Sequence, residues 1–141
     1  MTKIKLCSLL IVFLTTSNAY AEEYSLSVHV KGIKNNQGNI YVELYNDAKA
    51  FRKSALALSI KKIAAQSGTI DLKFDGLATG HYAILAYHDE DGNGSLNKRF
   101  GMIPTEGYAL SNDPSVIGPP SFEECEFEVL GDNEISTNMH Y

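Results

Sequence analysis

Apolar and polar residues alternate in short runs along most of this chain. Tyr24, Leu26, Val28 and Val30 alternate with Ser25, Ser27, His29 and Lys31, and Gly32 closes the run. A period of two sends alternate side chains to opposite faces, so the segment predicts a half-buried strand. Asn35-Asn36-Gln37-Gly38 turns the chain, and Ile40, Val42 and Leu44 then alternate with Tyr41, Glu43 and Tyr45. These two runs predict a hairpin. Asn46 or Asp47 is placed to cap one short helical turn through Phe51. Leu56, Leu58 and Ile60 suggest a third strand, although Ala55 and Ala57 favour strands poorly. Ile70, Leu72 and Phe74 predict a fourth, closed by Asp75-Gly76.

Gly80 opens the run from Tyr82 to Tyr87, which is apolar on both faces and so predicts a strand central in its sheet. The span from Gly92 to Pro120 is rich in Gly, Asn, Ser and Pro. It predicts a long loop with one short strand near Tyr108 to Leu110. Cys125, Phe127 and Val129 alternate with Glu124, Glu126 and Glu128, which predicts a last strand over Phe122 to Leu130 with its thiol inward and an acidic ridge outward. Residues 132–141 form a polar tail expected to fray. Six or seven short strands without a long helix predict an all-β fold, an antiparallel β-sandwich.

The N-terminus changes where this domain is expected to work. Lys3 and Lys5 precede the apolar stretch Leu6 to Leu14, and Ala19-Tyr20-Ala21 offers small residues at the two positions a signal peptidase reads. Residues 1–21 therefore predict a secretory signal peptide. The stretch is too short to span a bilayer well, so no transmembrane segment is expected in the mature chain. Residues 22–131 are expected to be a single domain in the periplasm or outside the cell. Removing two lysines and no acid takes the net charge from −5 to −7, which makes nucleic acid a poor partner. Cys125 is the one cysteine left after cleavage, and its glutamate neighbours argue for a buried rather than an activated thiol.

Candidate chemistry concentrates in one run, His88-Asp89-Glu90-Asp91-Gly92-Asn93-Gly94-Ser95-Leu96-Asn97. Oxygen-bearing side chains at alternate positions around a glycine turn suit a hard cation. Asp89, Asp91 and Asn93 followed by Gly94 match the first half of a calcium-loop pattern. Phe100 stands where that pattern needs a bidentate glutamate, so the segment is no EF-hand. Calcium here requires Asp89, Asp91, Asn93, Asn97, a carbonyl near Ser95, and Glu106 if the loop folds back. His88 shares a face with Tyr82, Ile84 and Ala86, opposite to Asp89, and is expected to be a hydrogen-bonded structural histidine. Asp, Asn and Gly are also ordinary turn residues. No G-x-S-x-G, phosphate loop or H-E-x-x-H is present.

These residues resemble a bacterial family. Leu77-Ala78-Thr79-Gly80-His81-Tyr82-Ala83-Ile84 leads into the Asp89 run. Gly101-Met102-Ile103-Pro104-Thr105-Glu106-Gly107-Tyr108, Ser111-Asn112 and Gly118-Pro119-Pro120-Ser121-Phe122 follow. In this order they are similar to domain of unknown function 2141, over about Leu26 to Leu130. Ala109-Leu110 stands where that family is expected to carry Gly-Phe. The L-x-x-G-x-Y-A-I element is also similar to one in transthyretin-like and carboxypeptidase-regulatory-like sandwiches. The resemblance implies a small exported protein without an established activity. The expectation is therefore a non-enzymatic binding or structural module with a calcium-ordered loop, whose partner is a protein or glycan of the cell envelope. Its rivals are a metal-dependent hydrolase using His88, Asp89, Asp91 and Glu106, and a protein-interaction module using a free sheet edge.

Overall fold

The computed structural model describes residues 22–115 and 117–141, so the signal-peptide segment 1–21 lies outside the described residues. The described chain is all-β, in mainly antiparallel sheets, with one helical turn of four residues. Among the described residues, no helix is long and apolar enough to cross a membrane. Strands β1 (Tyr24–Ile33), β2 (Asn39–Tyr45), β3 (Ser59–Ala64), β4 (Gly68–Leu77) and β5 (Gly80–Asp89) follow the alternating runs. Two two-residue strands, β6 (Lys98–Arg99) and β7 (Ile103–Pro104), pair within the long loop, and β8 (Tyr108–Leu110) follows. Helix α1 (Phe122–Cys125), β9 (Phe127–Val129) and β10 (Asn133–Asn138) end the chain.

One sheet has the order β10-β1-β4; the other has β3-β2-β5-β8, with β9 also on β5. The expected hairpin between the first two strands does not form. β1 pairs with β4, whereas β2 pairs with β5 and β3. The connection after Ile33 carries the chain from one sheet to the other. Gly38 passes so close to the last strand residue that a Cβ there would lie 1.9 Å from the Asp89 carbonyl oxygen. Alternation alone cannot separate a hairpin from such a crossing, because each strand buries one face either way.

Three further expectations change. The third strand starts at Ser59, because residues 54–56 form a 3-10 turn that leaves Leu56 and Leu58 exposed. Asp47 does begin a turn, its side chain accepting from the Lys49 N–H at 2.8 Å and its carbonyl from Ala50 and Phe51. Phe122 to Leu130 is not one strand. Ser121 and Glu124 make a capping box, which starts α1 and holds Cys125 buried on a helical turn. The tail does not fray either: β10 runs parallel to β1, from Leu26 opposite Asn133 to Lys31 opposite Asn138. Its polar sequence reflects an edge position.

The core divides at β5. Tyr82, Ile84 and Ala86 join Leu26, Val28 and Val30 of β1 in a cluster fed by both sheets, while Ala83, Leu85 and Tyr87 face a second cluster with Tyr45, Phe51 and Phe122. A strand buried on both faces reads as a continuous apolar run. The long loop has to cover the second face, and this brings its polar residues back to the end of β5.

Candidate metal centre

β5 ends on two fully buried polar residues, His88 and Asp89. They point in opposite directions, as neighbours on a strand must. His88 Nε2 lies 2.7 Å from the Gln37 carbonyl, and a carbonyl only accepts, so Nε2 carries the proton. In the neutral ring Nδ1 then accepts from the Tyr141 hydroxyl at 2.7 Å, and that hydroxyl accepts from the Lys34 N–H at 2.9 Å. Both ring nitrogens are therefore engaged away from the Asp89 loop. The arrangement does not bring His88 to the acidic cluster, as the hydrolase alternative required.

Asp89 faces the loop. Its Oδ2 accepts from the Gly94 N–H at 3.0 Å, while Oδ1 is buried without a hydrogen-bond partner. Gly94 sits at φ +79, a conformation glycine adopts without a Cβ penalty, and this aims its N–H inward. The loop then folds back. Asn97 accepts from the Thr105 N–H at 2.9 Å through its carbonyl, and its own N–H donates to Glu106 Oε2 at 2.9 Å. Glu106 Oε1 accepts from the Glu90 N–H at 3.1 Å. Carboxylate oxygens of Asp89, Asp91 and Glu106 thereby lie within 4.8 Å of one another, the first and last buried and Asp91 exposed.

The remaining expected ligands hold the turn together. Asp91 accepts from the Asn93 backbone and side-chain amides at 3.0 Å each, and from Asn97 Nδ2 at 2.7 Å. The Asn93 backbone bond, followed by the Asn97 amide, holds the Asp91 carboxyl below its ordinary range. Asn93 Oδ1 in turn accepts from the N–H and the hydroxyl of Ser95, both at 2.8 Å. Asn93, Ser95 and Asn97 thus orient Asp91, and in this geometry the three acids offer the charge. Phe100, at the place of the missing glutamate, is exposed.

Chemically, three carboxylates this close repel one another unless a cation lies between them. Calcium takes oxygen ligands at about 2.3–2.6 Å, so two oxygens on opposite sides of one ion sit about 5 Å apart. The observed spread is compatible with a single ion.

Sequence reasoning missed several polar residues that fix this end of the molecule. Ser111 accepts from the Ile84 N–H at 2.8 Å and donates to the Cys125 carbonyl at 2.5 Å, while Asn112 donates to the Glu126 carbonyl at 2.6 Å. The Ser-Asn pair was visible only as part of a family pattern. Tyr141 carried no local signal, because its partners Lys34 and His88 are distant in sequence, and Glu43 read as an ordinary polar position of an alternating strand.

The family model described as an uncharacterized protein conserved in bacteria (DUF2141) matches residues 28–138. Neither the curated proteins nor the solved structures contain a match to the chain.

Proposed function

This chain belongs to the uncharacterised bacterial family DUF2141, and from that premise we propose that it is an exported, non-enzymatic binding or structural module whose Asp89 loop is ordered by calcium. The carrying observation is the convergence of Asp89, Asp91 and Glu106, together with a buried Asp89 oxygen that lacks any donor. A buried ionised oxygen without a partner is costly, and a bound cation is the direct remedy. Magnesium suits the site less well, since its strict octahedron favours a water-rich shell. The proposal extends to a β-sandwich of transthyretin-like type, supported by the core cluster that both sheets supply. Export rests on the N-terminal residue pattern, and the expected partner is a protein or glycan of the cell envelope.

A second reading, an interaction surface along a sheet edge, has one observation in its favour. β3 is the outer strand of its sheet, with Leu58 and Ile60 exposed beside Lys61 and Lys62. The lysines, however, are the residues that discourage strand addition.

Melting with and without calcium tests the main proposal. An ion that binds the folded chain alone stabilises it by roughly 2.7 kcal/mol at a hundredfold excess over Kd. For a domain of this size that is a shift of about 10 °C. Chelator should reverse it, and Asp91→Ala should remove most of it, over and above a smaller loss in the calcium-free melt from the three amide bonds its carboxylate accepts. No shift at several millimolar calcium, roughly the weak end for extracellular sites, would return the loop to an ordinary turn.

A further inference from the structure

The second face of β5 is not completely filled. Between the 46–58 connection and the long loop lies a cleft with two continuous parts, since Arg52, Leu85, Leu96 and Lys98 line both. One part, with a cavity volume of about 150 Å³, also touches Glu43 and Tyr87. The other part, of about 80 Å³, adds Met102 and Tyr108.

Glu43 gives this cleft its chemistry. It is 1% exposed in the middle of β2, its Oε2 accepts from the Tyr45 hydroxyl, and its Oε1 is buried with no partner. A carboxylate oxygen in that position calls for a donor. Arg52 and Lys98, which line the same cleft, are in no ion pair among the described residues. Arg52 also sits at φ 64, a left-handed conformation that costs a non-glycine residue energy. A simple anion would meet Glu43, and a simple cation would meet two positive groups. A molecule with both charges and an apolar arm satisfies all three features.

We propose that the cleft binds a small amine-carboxylate zwitterion with an apolar side chain, an apolar α-amino acid being the simplest. Its ammonium donates to Glu43 Oε1, its carboxylate meets Arg52 and Lys98, and its side chain lies against Leu85, Leu96 and Tyr108. None of these residues belongs to the acidic cluster, so the proposal stands apart from calcium binding. Calorimetry on the folded protein with L-leucine and L-phenylalanine tests it. Binding of either should weaken about tenfold or more for leucinamide, which lacks the carboxylate, and for 4-methylpentanoate, which lacks the amine. Glu43→Gln should cost a similar factor, and Lys98→Ala, an exposed change that leaves the fold intact, should weaken the amino acid but not leucinamide. Should Glu43→Gln fail to fold, Lys98→Ala and the two analogues decide. Absence of binding at millimolar amino acid, or equal affinity for the analogues lacking one charge, would overturn the assignment.

Discussion

His88 and Asp89 are neighbours on one strand and equally shut off from water, yet their surroundings differ in kind. His88 closes a chain of hydrogen bonds from Lys34 through Tyr141 to Gln37. Asp89 ends in an oxygen with nothing to bond, beside two further carboxylates. A buried polar group with all its partners holds a fold together, whereas one left unmatched among like charges is poised to hold something else. Glu43, opposite Leu85 on the same face of the same sheet as Asp89, likewise keeps one buried oxygen unmatched.

The largest effect should come from the satisfied side. His88→Ala opens a cavity and strands the Gln37 carbonyl and the Tyr141 hydroxyl, which should cost roughly 3 kcal/mol in chemical unfolding. The loss should be the same with or without calcium. A variant that lost the calcium response as well would join His88 to the ion site and erase the contrast.

A smaller effect concerns Cys125, an apolar counterpart to both. Burial, with a lesser contribution from Glu124, pushes its thiol up from 9.0 to about 11. A raised folded-state pKa gives stability that is complete below about pH 9 and lost as pH climbs towards 11. A difference of that size corresponds to on the order of 3 kcal/mol. Unfolding followed from pH 8 to 11 should therefore fall less steeply for Cys125→Ala than for the wild type, tyrosine titration being common to both. Native Cys125 should also react slowly with a thiol reagent at neutral pH and quickly in denaturant. Parallel pH profiles, or immediate labelling of the native state, would place the thiol at the surface.

The same contrast explains what the sequence made legible. β1, β2 and β4 stand in the alternation of Val28, Val42, Phe74 and their neighbours, because each has one inner face, and β5 stands in the apolar run around Ile84, because it has two. Which strands pair was not legible, since Gly38 serves a crossing between sheets as readily as a hairpin turn. The sequence of β10 is polar because it lies at an edge, so Asn133–Asn138 read as a tail. Cys125 was rightly placed inside but on the wrong element, since Ser121 and Glu124 start a helical turn within an alternating run. At the candidate site, local spacing marked Asp89 and Asp91, and Glu106 entered only as a conditional ligand. Its position depends on the Asn97 and Thr105 contacts, and Glu43 depends on a cleft whose walls lie far apart in the chain.

The most direct test of the central claim is the stability of Asp89→Asn measured in chelator and in saturating calcium. The change keeps an acceptor for the Gly94 N–H and removes one charge from three crowded carboxylates. Without calcium the variant should melt at or above the wild type, because repulsion is relieved. In saturating calcium it should melt below the wild type by most of the calcium-induced increment, so the sign of the effect reverses. A variant that loses the same stability in both buffers would contradict the account and make Asp89 a structural residue like its neighbour.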